Sequence, residues 1–155
     1  SNRFADIKNI LPRFVLIHTF SHALMRQLSF NSGYNLASIR EKLYVFEDKA
    51  GILIYTAQGD SEGSLGGLVR QGQIDLCPSL IISALESVRW CSNDPICSEM
   101  PENGLDGLNR AACHACSIIP ETSCSELNVL LDRNLLLNSR LGNDEFSGFF
   151  DGLFD

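Results

Sequence analysis

Basic charge is scarce in this chain. Twelve Lys and Arg stand against 19 Asp and Glu in 155 residues, for a net charge of −7 and a pI near 4.9. A surface of that sign repels phosphate at long range, so a stand-alone DNA-binding module is disfavoured. A local basic patch stays open, because Arg13, Arg26, Arg40, Lys42 and Arg70 all lie in the first half. Long apolar runs are missing too. None approaches the roughly 18 residues that cross a bilayer, and no basic stretch leads into an apolar secretion-type segment. The expectation is a cytoplasmic protein with no membrane partner. There is no G-x-x-x-x-G-K-[ST] loop, which excludes ATP hydrolysis by that route. No Ser-His-Asp set and no dinucleotide fingerprint stands out. Repeats and low-complexity tracts are also lacking.

Against these absences stands a concentration of cysteine. Five of the six cysteines fall between positions 91 and 124, in W-C-S-N-D-P-I-C, C-H-A-C and P-E-T-S-C. A Cys-x-x-Cys pair brings two thiolates to one ion from a single turn, and flanking arms complete a tetrahedral sulfur site. The spacing predicts a structural zinc ion held by Cys113, Cys116 and Cys124 with one further thiolate. Cys97 is preferred for that place, since the loop after Pro95 can fold back toward C-H-A-C. Cys91, beside Trp90, is the alternative. Three disulfides would suit a smaller secreted scaffold better. Cys77 reads as a core thiol, and His114 points away from its flanking ligands.

His18 and His22, four apart, share one helix face, a spacing that can hold a metal. No Glu follows the first His and no third ligand is evident, so a satisfied core pair is expected. Carboxylates at Asp60 and Glu62 lie in a Gly-rich segment that reads first as a polar turn. With Arg40 and the two histidines they supply the alternative of a metal-dependent hydrolase.

Periodicity predicts a buried helix over 13–31 stopped by Gly33 and a strand over 37–46. A hairpin turn at 47–51 leads to a second strand, Ile52 to Ala57, apolar without alternation and therefore central. A loop spans Gly59 to Val69. A helix follows from Pro78 to Trp90, and a last one, capped at Thr122 or Ser123, runs through Leu127, Leu130, Leu131 and Leu135. The expected class is α/β: a small mixed sheet, covering helices and a zinc-braced Cys-rich C-terminal lobe. Residues 1–12 read as a linker, 13–141 as a single domain and 142–155 as an acidic aromatic tail. That tail packs on this domain or docks on a partner.

Several segments together resemble a known family. I-H-T-F-S-H-A-L-M-R-Q-L, G-I-L-I-Y-T-A-Q-G-D-S-E-G-S-L-G-G-L-V, W-C-S-N-D-P-I-C and A-A-C-H-A-C-S-I-I-P-E-T-S-C are similar to the C-terminal domain of DrmB proteins. DrmB is a component of the DISARM anti-phage defence system. A related domain closes the MrfA-type repair helicases, where four cysteines bind zinc. The resemblance implies zinc at Cys113, Cys116 and Cys124 with Cys97 or Cys91. It also implies a non-catalytic, helicase-associated accessory domain. Its partner would be a helicase-like subunit or an upstream helicase domain, with DNA engaged only through that partner.

Overall fold

The computed structural model describes residues 12–46, 48–56, 67–138 and 147–154. No Gly or Pro interrupts the chain between Pro12 and Gly33, and helix α1 fills that interval, Pro12–Ser32. Proline suits a first helical position, where the missing N–H is not needed. Gly33 ends the helix with φ +73°, donating its N–H to the Ser29 carbonyl at 3.0 Å. Only glycine takes that conformation without strain. No described helix is long and apolar enough to cross a membrane.

Asn35 caps a 3-10 turn, Leu36–Ser38, by accepting the Ala37 N–H, which delays the first strand. Strand β1 (Ile39–Val45) then pairs antiparallel with β2 (Ala50–Thr56), from Ile39 opposite Thr56 to Val45 opposite Ala50. The chain is α/β as expected, but its described sheet has only these two strands. β2 is accordingly not central. Leu53 and Tyr55 are 47% and 44% exposed, while Ile52 and Ile54 turn inward. The apolar run hides an alternation, with large apolar residues on the open face as well.

A short helix α2 covers Gly67–Gln71, so the end of the Gly-rich segment is helical; residues 57–66 lie outside the described residues. Helix α3 spans Cys77–Arg89 and packs along α1. Ala84, Leu85 and Val88 meet Ala23, Leu136 and Leu137 in the main core. A second core joins Met25, Ile39, Ile119 and Cys124 on another side of α1. Helix α4, Ile96–Glu99, is a single turn between Cys91 and the C-H-A-C turn.

The expected last helix does not form. Leu127, Asn128 and Leu130 have φ of +56°, +56° and +63°, and only a 3-10 turn appears at Arg133–Leu135. The amides there have other partners. Those of Glu126 and Asn128 donate to the Cys124 sulfur at 3.3 and 3.2 Å, and that of Leu131 donates to Asn109 Oδ1 at 3.0 Å. The leucines at 130, 131, 136 and 137 are all buried, so they do not form one stripe.

Residues 147–154 lie back on the domain. The amides of Phe149 and Phe150 donate to the Leu135 and Leu136 carbonyls, each at 2.9 Å. Phe150 and Phe154 join the α1–α3 core, while Phe149 stays exposed. Phe146 lies outside the described residues.

Candidate metal centre

A loop, a one-turn helix and a tight turn bring four sulfurs together. Cys91 follows α3 and Cys97 lies in α4. Cys113 and Cys116 come from a tight turn in which Ser117 N–H closes onto the Cys113 carbonyl at 2.9 Å. All four Sγ atoms lie within 4.8 Å of one another. Cys91–Cys113 is 3.5 Å, while Cys97–Cys116 and Cys113–Cys116 are 3.8 Å. Four sulfurs at about 2.3 Å from one tetrahedral ion are about 3.8 Å apart, so the set fits zinc closely. All six cysteines are free thiols, so the alternative of three disulfides has no counterpart.

The surroundings suit thiolates. The Asn93 amide donates to Cys91 Sγ at 3.4 Å, the Asn93 side chain to Cys113 Sγ at 3.4 Å and the Cys113 amide to Cys116 Sγ at 3.3 Å. Burial pushes the Cys91 thiol up to about 11 and Cys97 higher still. Burial also opposes ionisation of Cys113, but hydrogen bonds from Asn93, Cys91 and nearby amides outweigh it and bring that thiol to about 7. Cys113 is therefore the thiolate nearest to hand at neutral pH.

Two arginines fix this frame. Arg133, wholly buried, pairs with Asp94 and donates Nη1 to the Val88 and Arg89 carbonyls at 3.1 and 3.2 Å. Asp94 in turn accepts the Cys91 and Ser98 amides at 2.8 and 3.1 Å, which shapes the loop between the first two cysteines. Arg26 reaches from α1 to the Ala115 and Ile118 carbonyls at 2.9 and 3.1 Å, holding the C-H-A-C turn. Neither role has a spacing signature in the sequence.

The five predicted cysteine ligands thus separate. Cys91 and Cys97 both join the C-H-A-C pair, and Cys124 lies elsewhere. Its sulfur is 3.3 Å from His18 Nε2, in a group with His22 and Glu41. Eight residues past Cys116, the chain has turned back along α1. His18, His22 and Glu41 are sealed from solvent, with side chains 0% exposed. Burial lowers the proton affinity of His22. Burial would raise the Glu41 carboxyl, yet its two imidazole neighbours hold it below the usual carboxylate range. Among the described residues the two histidines are buried, Arg40 bonds the Ala37 and Ile39 carbonyls, and Asp60 and Glu62 lie outside the described residues. His114 is in neither cluster, and Cys77 is a half-buried thiol at the start of α3.

Comparison with known proteins points the same way as the sulfur geometry. A family model described as the MrfA Zn-binding domain matches residues 20–117. That span contains all four clustered cysteines but neither His18 nor Cys124. A DISARM protein DrmB from Bacillus paralicheniformis is 47% identical over 148 residues, which is 96% of this chain. The chain spans about a quarter of that relative's length, 26%.

Proposed function

The chain belongs to the MrfA Zn-binding domain family, and from that premise we propose that it is a non-catalytic zinc-binding accessory domain of a DrmB-type anti-phage defence protein. Cys91, Cys97, Cys113 and Cys116 hold one structural zinc ion. The observation that carries this reading is the convergence of four sulfurs within 4.8 Å at tetrahedral spacing. Four thiolates leave no open coordination position, so the ion braces rather than catalyses. Zinc bound there ties the end of α3 and α4 to the turn held by Arg26, and metal binding of this kind counts directly toward folding.

The domain's outer face suits assembly. Trp90 and Ile96 flank the cysteine loop at 70% exposure each, and Ile74 on the opposite approach to α3 is 93% exposed. Such residues seat a helicase-like subunit or another part of a larger chain. With a net charge of −7, DNA is engaged through that partner and not by this domain alone.

Metal analysis of the purified chain by mass spectrometry tests the proposal. Zinc should be present, and Cys113→Ser should lose one ion relative to the parent. Unchanged zinc in Cys113→Ser would sink the ligand assignment. Capture of a helicase-like partner, weakened by Trp90→Asp with Ile96→Asp, is the expected result for the assembly role. Tight duplex binding by the isolated chain at about 150 mM salt would overturn the DNA part.

A further inference from the structure

The second cluster is built as a metal site in its own right. His18 and His22 stand one turn apart on α1, Glu41 points in from β1, and Cys124 arrives from the segment after the C-H-A-C turn. One ligand atom from each lies within 4.8 Å of all the others, and all four residues are buried. His18 Nε2 to Glu41 Oε1 is 3.3 Å, His22 Nε2 to the same oxygen is 3.5 Å, and His18 Nε2 to Cys124 Sγ is 3.3 Å. Nitrogen and oxygen ligands at about 2.05 Å from a tetrahedral zinc are about 3.3 Å apart, and a nitrogen–sulfur pair about 3.6 Å. The spacings match.

The hydrogen bonds point to a cation. His22 Nδ1 faces the Ser117 carbonyl at 2.8 Å, and a carbonyl only accepts, so Nδ1 carries the proton. That leaves the Nε2 lone pair of the neutral ring aimed at a carboxylate oxygen. Holding a ligand imidazole by its far nitrogen on a backbone carbonyl is the usual outer support of metal sites. Cys124 Sγ accepts two amides, from Glu126 and Asn128, and Glu41 Oε1 accepts the Ser125 amide at 3.3 Å. Three of the four buried side-chain atoms without a hydrogen-bond partner among the described residues belong here: His18 Nδ1, His22 Nε2 and Glu41 Oε2. A sealed set of polar atoms left without partners is unfavourable, and a cation among them would satisfy it.

We propose that His18, His22, Glu41 and Cys124 form a second, closed zinc site. Its mixed nitrogen, oxygen and sulfur set suits a borderline-soft divalent ion, and its sealed position makes it structural. It pins α1 and β1 to the C-terminal segment, as the four-cysteine cluster pins α3 and α4. The two sites touch through the backbone, since Cys116 belongs to one and the carbonyl of the next residue, Ser117, holds His22 for the other.

The test counts zinc per chain by mass spectrometry in the parent, Glu41→Gln, Cys124→Ala and Cys113→Ser. Two zinc ions in the parent and one in each variant is the expected result. A single zinc kept in Glu41→Gln and Cys124→Ala but lost in Cys113→Ser overturns the second site and leaves the four-cysteine reading standing. A single zinc with the opposite pattern supports the second site and overturns the first. X-ray absorption at the zinc edge of the parent needs no variant to fold. Mixed sulfur and nitrogen or oxygen neighbours are expected, and a sulfur-only shell overturns the proposal.

Discussion

At the residue scale, Arg133 governs the cysteine loop although it touches no sulfur. Its guanidinium closes the end of α3 and neutralises Asp94, which organises the amides of Cys91 and Ser98. Removing one member of a buried pair leaves the other charge uncompensated. Arg133→Ala should cost about 3 kcal/mol, near the low end for buried pairs because Asp94 retains some solvent contact. Urea unfolding of the zinc-loaded chain checks this, and an unchanged midpoint would refute it. Single residues were unevenly legible. The C-H-A-C spacing is local, so its two sulfurs could be paired by inspection. Spacing and the family resemblance both put Cys124 with them, whereas the structure places it against His18, past a turn held by Arg26. Glu41 as a neighbour of two histidines was invisible, because it lies on a different element.

At the element scale, α1 was readable end to end, since Pro12, Gly33 and an uninterrupted 3.6-residue pattern all say the same thing. The C-terminal lobe was not, because its amides bond to sulfur and to side-chain oxygens that periodicity does not register. The tail shows how local such docking can be. A Cβ on Gly148 would sit 2.6 Å from Leu137 Cα and 2.7 Å from the Asn138 nitrogen, both backbone atoms that cannot move aside cheaply. Gly148→Ala should therefore lift the tail and cost about 1–3 kcal/mol, exposing Phe150 and Phe154. Faster proteolytic loss of the last residues with a lower melting temperature is the expected readout. Wild-type protection in this variant would refute the steric argument at Gly148.

At the scale of the whole molecule, zinc and protons compete. Burial holds Cys91 up at about 11 and Cys124 up at about 12, so these thiols are protonated at neutral pH, and metal binding at the two proposed sites would displace their protons. Each proton released makes apparent affinity rise with pH and fall with acid. A fixed chelator concentration should therefore strip zinc more completely at about pH 6 than at about pH 8, with loss of structure following the metal. Circular dichroism alongside a zinc-responsive dye would follow both. Equal stripping at the two pH values would contradict it. The mixed α/β class could be read from the chain as a whole, while the two-stranded sheet could not. Nothing in an apolar run tells whether a third strand will cover it.

The contact between His18 and Cys124 joins positions 106 residues apart. During synthesis α1 emerges before β1, which carries Glu41, and well before Ser117 and Cys124, the later partners of its buried histidines. At about 5–20 residues per second, the ribosome takes about 5–20 s to bring Cys124 into being after His18. For that interval the His18–His22 face of α1 lacks Cys124 and the Ser117 carbonyl, and the nascent chain depends on water, or on whatever binds it, to keep that face soluble.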